Sequence, residues 1–290
     1  MNLNQSVLSI TQRIDDTKPR IQSASTSQKN HILSTLAELL SQDQAKIMAA
    51  NRMDIESARQ AGKNPAFIDR LTLNESRIAS LIGSLKDIRD LPDPVGSIEN
   101  LIPRPSGIMV GRMKVPLGAI LMIYEARPNV TIDAAALCIK TGNVAILRGG
   151  TESLRTSLVL TEILHQALQT CGFPPDWIIY LDNPDKELLY RLLKEKESID
   201  VVIPRGGAGL IRSIYEHSII PVIGHFQGIC HIYVHTEADP EEDYRSARRI
   251  IINAKVQRPG VCNAMECLLV DESIARDFLP RCAHDMIDHQ

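Results

Sequence analysis

Between residues 118 and 224 the chain repeats one pattern that leaves few folds open: a short run apolar at almost every position, a turn, then a stretch of helical periodicity. GAILMIY (118–124) comes first and is followed by a helical segment over 130–140 that stops at Gly142. NVAIL (143–147) leads through Arg148, Gly149 and Gly150 into a helix over 153–170, and WIIYL (177–181) is the third run. DVVIP (200–204) passes through Arg205, Gly206, Gly207, Ala208 and Gly209 into a helix ending at His217, and IPVIG (220–224) is the fifth. A continuously apolar strand is one buried on both faces. Strands of that kind alternating with helices predict an α/β fold: right-handed βαβ crossovers and a parallel sheet with helices on both faces. The exit from the third strand, DNPDKE (182–187), predicts a helix capped by Asn183, with Pro184 at its first position and acids in its first turn.

The opening third is helical. Ile32, Leu33, Leu36, Leu39 and Leu40 fall on one helix face, a second stretch runs through Ile47, Met48 and Ile55 to Gly62, and residues 65–91 repeat the pattern. The charges of this region read as a solvated face without chemistry. After the Pro/Gly-rich break LPDPVG (91–96), IENLIP and IMVGRMKVP flank Arg104-Pro105-Ser106-Gly107 and predict a β-hairpin. A hairpin there is either an arm that meets another chain or an edge of its own domain.

Beyond Gly224 come HFQG, a strand CHIYV (230–234), a helix beginning at Asp239-Pro240-Glu241, a strand over 266–270 and a helix from Ser273 that Pro280 should disturb. Tyr244, Ala247, Ile251 and Ala254 line one face of the first of these helices, so it packs on something. It runs into a Pro259-Gly260 turn that delivers Cys262 ahead of an apolar run, which is how a loop presents a side chain from a rigid scaffold. The chain stops little more than one βα unit later, as an interrupted domain would.

Composition narrows the function. At 290 residues the chain suits two domains or one α/β domain with additions, and 44% hydrophobic residues supply a sizeable core. A formal net charge of -3 offers no basic field for a phosphate backbone, so nucleic acid is not an expected partner. The first twenty residues lack the apolar core of a signal peptide, and no run approaches the roughly 20 apolar residues of a membrane span. The expected location is therefore the cytoplasm. The six cysteines form no CxxC pair and read as reduced thiols.

Two features point to chemistry. Glycine-rich turns after strands, RGGT and RGGAG, place backbone N–H groups and a helix N-terminus where a phosphate can sit, although glycine at a βα turn also serves ordinary helix–sheet packing. Cys138 and Cys267 sit among apolar neighbours as small buried hydrophobes do. Cys262 instead follows Arg258-Pro259-Gly260, with Lys255 and Arg258 near in sequence, and neighbouring cations favour thiolate. His225, His231 and His235 lack ligand pairs at zinc spacing, so no metal site is assigned.

The blocks VPLGAILMIYEARPNVT, KTGNVAILRGG, IDVVIPRGGAGL, and GICHIYV followed by NAKVQRPGVCNAMECLLV resemble those of the gamma-glutamyl phosphate reductase family, in its order and spacing. That family lies within the aldehyde dehydrogenase superfamily, and the blocks cover nearly all of residues 115–270. The resemblance implies an aldehyde dehydrogenase-like fold with a Rossmann-like sheet, an incomplete second α/β catalytic domain and a β-hairpin arm. Its activity would be the NADPH-dependent reduction of L-glutamyl 5-phosphate to L-glutamate 5-semialdehyde, with release of phosphate, in proline biosynthesis. Cys262 falls at the family's nucleophile, which forms a thioester, and Asn129 with the Cys262 backbone N–H is the candidate oxyanion pair. Arg148, with Gly149 and Gly150, falls where the family meets the adenosine ribose and suits the 2′-phosphate of NADPH. Arg205, Gly206, Gly207 and Gly209 fall at the pyrophosphate or nicotinamide side. Where aldehyde-oxidising relatives carry a Glu that activates water, this chain has His225-Phe226-Gln227-Gly228, which suits a reductase that must protect its thioester.

The implied domains are an NADPH-binding domain (1–97 and 117–224), an oligomerisation hairpin (98–116) and a truncated catalytic domain (225–290). The resemblance further implies a homo-oligomer through that hairpin and functional association with a glutamate 5-kinase. It also implies a further domain-sized part beyond this chain, so the rival expectation is a catalytically incomplete nucleotide-binding or assembly fragment of the same family.

Overall fold

The structure, a computed structural model, describes residues 2–224, 228–238, 242–259 and 261–289. The chain divides into two compact units, residues 1–225 and 226–290.

The first unit opens with α1 (Leu3–Gln22), α2 (Thr26–Gln42), α3 (Gln44–Gln60), α4 (Pro65–Leu71) and α5 (Glu75–Asp90). Asn2 and Ser25 start α1 and α2 as capping boxes closed by Gln5 and Gln28, and Asn64 and Asn74 cap α4 and α5. The opening twenty residues, read from sequence only for what they lack, thus form the longest helix, which buries Val7, Ile10, Ile14, Thr17 and Ile21. The expectation that charges here face only solvent fails at two positions. Lys29 is buried against Asp93 at 2.5 Å, and buried Asp54 accepts hydrogen bonds from the backbone N–H and hydroxyl of Thr156. Both charges serve packing: a buried charge persists only when paired or hydrogen-bonded.

β1 (Ile98–Pro103) and β2 (Met109–Met113) form the antiparallel hairpin, exposed along its whole length, with the register shifting between Glu99 and Ile102. The alternating region then gives β3 (Ala119–Tyr124), α6 (Asn129–Lys140), β4 (Val144–Arg148), α7 (Leu154–Thr170), β5 (Ile178–Tyr180), α8 (Lys186–Leu192), β6 (Val201–Arg205) and α9 (Ala208–His217). All four strands are parallel, in the order β5-β4-β3-β6. The chain adds strands on one side of β3 and then crosses to the other, so the switch point lies between the carboxyl ends of β3 and β6, where open α/β sheets bind ligands. α6 packs on β3 and β4 and joins α2, α5 and α7, while α1 lies on β4 and α8.

The start of β3 is tightly specified. Gly118 has φ +122°, its N–H donates to Asn143 Oδ1 at 2.9 Å, and the next amide, Ala119, donates to Asp200 Oδ2 at 2.7 Å. Lys18 of α1 reaches the same carboxylate oxygen at 2.8 Å.

Two local expectations need correction. Residues 220–224 do not make a fifth strand; they give a single parallel bridge, Val202 to Val222. Pro221 has no N–H to lend a ladder, and Ile219 and Ile223 are exposed. The helix after β5 starts two residues later than Pro184 suggested: Asp185 is the cap, and the Asn183 side chain accepts from the Asp185 amide instead.

The second unit holds β7 (His231–Val234), α10 (Arg245–Val256), β8 (Cys267–Val270) and α11 (Glu272–Asp288). β7 and β8 are parallel neighbours, His231 opposite Cys267, so β7-α10-β8 is a βαβ unit. Val234, Tyr244, Ile251, Met265, Phe278 and Cys282 form its core, with the Tyr244 and Phe278 rings edge to face at 5.4 Å. The helix expected from Asp239 begins at Arg245, after Asp243 and Tyr244 adopt left-handed conformations; residues 239–241 lie outside the described residues. Pro280 does not break α11, which runs through it with both Pro280 and Arg276, four residues back, exposed to water.

Candidate functional site

The carboxyl end of the sheet gathers both glycine-rich turns. Arg148 ends β4, and its Nη2 donates to the Pro184 carbonyl at 2.8 Å. Burial lowers its guanidinium pKa below the usual arginine value, though an arginine stays cationic there. Gly149 and Gly150 follow, and a cavity of about 200 Å³ opens beside them, lined by Arg148, Gly150, Thr151, Asp182, Asn183 and Lys186. The packing role of such turns holds for Gly149, where a Cβ would stand 2.8 Å from the Tyr180 hydroxyl. Lys186, the second cation on this cavity, was not singled out in the sequence because it reads as the first turn of a helix.

At the switch point, Arg205 ends β6, Gly207 caps α9 and Gly209 lies in open space. Glu125, the residue after β3, places its carboxylate on this helix start and accepts the Gly207 N–H at Oε2, 3.1 Å away. A Cβ on Gly206 would come 2.7 Å from the Glu125 carboxyl carbon, so the glycine is what lets the carboxylate in. The turn therefore already carries a carboxylate supplied by the chain itself, the kind of group a helix N-terminus favours. Sequence reasoning missed Glu125, because only the pairing of β3 with β6 brings two segments 82 residues apart together.

Asn129 is the first residue of α6, half-buried, and its amide nitrogen donates to Asp133 Oδ2 at 3.0 Å. Burial raises the Asp133 carboxyl pKa, and the Asn129 hydrogen bond works against that rise.

In the second unit, Cys262 is exposed on the turn between α10 and β8. Among the described residues, three backbone hydrogen bonds fix that turn: Val261 N–H to the Arg258 carbonyl, Ala264 N–H to the Val261 carbonyl, and Met265 N–H to the Ala254 carbonyl at the end of α10. The Cys230 thiol donates to the Cys262 carbonyl at 3.3 Å and ties the turn to the segment before β7. Gly260 and His225-Phe226-Gln227, the stretch read as lacking a water-activating Glu, lie outside the described residues. Other cysteines differ sharply. Cys138 is enclosed in α6, where burial pushes its thiol up to about 12, and burial also raises Cys282.

The chain belongs to the aldehyde dehydrogenase family, whose model matches residues 4–288. Within that family its curated relatives include gamma-glutamyl phosphate reductases. The protein of that name from Aquifex aeolicus is 46% identical over 262 residues, covering 90% of this chain and 59% of the relative. The one from Desulfotalea psychrophila is 44% identical over 288 residues, covering 99% and 68%. The crystal structure of gamma-glutamyl phosphate reductase from Thermotoga maritima superposes with a TM-score of 0.90 at 36% identity, covering 98% of this chain and 67% of that one. The Saccharomyces cerevisiae enzyme of the same name gives 0.71 at 29% identity, covering 97% and 69%. The acetylating aldehyde dehydrogenase from Geobacillus thermoglucosidasius, at 19% identity and a TM-score of 0.66, shares the fold. The chain thus spans about three fifths to two thirds of the length of the relatives it matches.

Proposed function

We propose that this chain carries the cofactor-binding part and the nucleophile of an NADPH-dependent gamma-glutamyl phosphate reductase. The observation that carries the proposal is the setting of Cys262: an exposed thiol on a turn fixed at several points, in a chain whose other cysteines are half or fully buried. Relatives 44–46% identical that bear this enzyme's name support the substrate assignment. Cys262, as thiolate, attacks the acyl carbon of L-glutamyl 5-phosphate, and the tetrahedral adduct expels phosphate to leave an acyl thioester. NADPH, when bound, supplies the hydride that takes this thioester to the aldehyde level. Collapse of the reduced adduct releases L-glutamate 5-semialdehyde and returns the thiol. The tetrahedral oxygen needs preorganised donors, for which the Cys262 backbone N–H is proposed.

The residues of the sheet edge suit the cofactor. The start of α9, with Gly206, Gly207 and Gly209, would hold the diphosphate with Arg205 alongside, a reading supported by the Glu125 carboxylate already seated on the Gly207 amide. Arg148 and Lys186 line the cavity that would take the 2′-phosphate. The proposal extends to self-association through the β1–β2 hairpin, which exposes Ile98, Leu101, Ile108, Met109 and Met113, to a functional association with a glutamate 5-kinase, and to a cytoplasmic location.

Two measurements test it. NADPH is titrated into the 290-residue chain, and phosphate-dependent reduction of NADP⁺ by L-glutamate 5-semialdehyde is followed with the native chain and with Cys262→Ala. Turnover that Cys262→Ala abolishes supports the proposal, and full activity in Cys262→Ala removes it. NADPH binding without turnover would keep the cofactor assignment and leave this chain a nucleotide-binding fragment.

A further inference from the structure

Cys230 and Cys262 are 32 positions apart in sequence, and the structure joins them through a direct contact between the Cys230 sulfur and the Cys262 carbonyl oxygen at 3.3 Å. A carbonyl oxygen lies roughly 2.4 Å from its own Cα by standard backbone dimensions. The Cys230 sulfur is therefore no more than about 5.7 Å from the Cys262 Cα, close enough that turning the exposed Cys262 side chain toward it, with a small shift of the turn, brings the two sulfurs together. The backbone on the Cys230 side is held, because the Cys230 carbonyl accepts the amides of Glu266 and Cys267, at 3.0 and 3.1 Å.

We infer that Cys230 is a resolving thiol for Cys262, and that the two form a reversible disulfide under peroxide. Oxidation by hydrogen peroxide converts the Cys262 thiolate to a sulfenic acid and releases hydroxide. The Cys230 sulfur then attacks the Cys262 sulfur, an S–S bond forms, the S–O bond breaks, and the hydroxyl leaves as water with the thiol proton. Two thiols are oxidised and one peroxide is reduced, so the balance closes. A small dithiol reverses the bond by thiol–disulfide exchange. Without a partner, the sulfenic acid goes on to sulfinic acid, which such a dithiol does not rescue. The other cysteines of this unit are less exposed than Cys262. Cys267 meets Cys230 through its amide, with its half-buried side chain on β8, and Cys282 is buried in the core against Phe278.

The inference deepens the proposed role of Cys262, since a bond to Cys230 would take the nucleophile out of use and shield it from irreversible oxidation. Its test reads sulfur chemistry alone. The 290-residue chain is treated with an equivalent of hydrogen peroxide, free thiols are blocked with iodoacetamide, and a non-reducing digest is mapped by mass spectrometry. The expected product is a Cys230–Cys262 linked peptide that dithiothreitol returns to two free thiols. In Cys230→Ser, Cys262 is expected to accumulate as sulfinic acid, with at least a tenfold smaller thiol recovery. Cys262 sulfinic acid with Cys230 fully alkylated in the native chain would overturn the inference, as would a disulfide from Cys262 to Cys267. A linked peptide in a chain that shows no turnover would sustain the inference while the reductase proposal fell.

Discussion

Replacing Gly118 by Ala should destabilise the first unit far more than a single methyl group suggests. The backbone there sits at φ +122°, where an L side chain costs about 1–3 kcal/mol. The added Cβ would stand 2.1 Å from Asp200 Oδ2, so the carboxylate must leave. It then abandons the Ala119 amide at the head of the central strand, and a hydrogen bond to a charged group contributes about 1.5–3 kcal/mol. The Lys18 ion pair adds only about 0–1 kcal/mol, because the Asp200 side chain is 37% exposed and water screens it. The sum, about 2.5–7 kcal/mol, is a large share of the roughly 5–15 kcal/mol that holds a domain together. Trp177, the only tryptophan, is fully buried beside this sheet, so urea unfolding followed by its fluorescence reports on the right unit. A double-mutant cycle with Asp200→Ala separates the two causes. In the Asp200→Ala background the glycine replacement should cost only the strain, so the coupling should be about 1.5–4 kcal/mol. A cost below about 1 kcal/mol for Gly118→Ala, or strict additivity with Asp200→Ala, would refute the reasoning.

Arg148→Ala should weaken NADPH binding about tenfold, the scale of one charge-assisted contact, and leave NADH nearly unchanged; equal losses in calorimetric titrations of the two would place the 2′-phosphate elsewhere. In the second unit, the hydrogen bond from Arg248 holds the Asp285 carboxyl below the usual carboxylate range. A depressed folded-state pKa contributes stability that is present above the unfolded value, about 3.9, and is lost as pH falls through the folded value. Asp285→Asn should therefore lower the melting temperature near neutrality, with the difference from the native chain shrinking as the pH falls below about 4 and gone only below the folded-state pKa; a difference that persists undiminished in strong acid would contradict the assignment.

Much of this fold was legible because the strands are buried on both faces and so read as unbroken apolar runs, AILMIY and VAIL above all. The expectations failed where a local signal met a tertiary fact. IPVIG reads as a strand, but Pro221 removes the donor that would continue the ladder. Val7, Ile10, Ile14, Thr17 and Ile21 have helical spacing, yet the polar residues between them hid α1 in a search for targeting signals. Lys29 and Asp54 look like solvated charges because their partners, Asp93 and Thr156, are 64 and 102 positions away. At the site, Cys262 stood out through its own neighbourhood in the chain. Glu125 did not, since nothing near it in sequence announces that β3 and β6 lie side by side.

The Glu125 carboxylate on the start of α9 changes what binding means at that helix. An anion arriving there would not meet a bare Gly207 amide; it would exchange with a tethered competitor whose effective concentration is fixed by the fold. The gain on binding would be the difference between two ion–dipole interactions, smaller than the newcomer's own. Departure would be correspondingly assisted, because the carboxylate stands ready to reclaim the amide. A helix end built this way would trade tightness for turnover of its occupant, a trade set by one side chain.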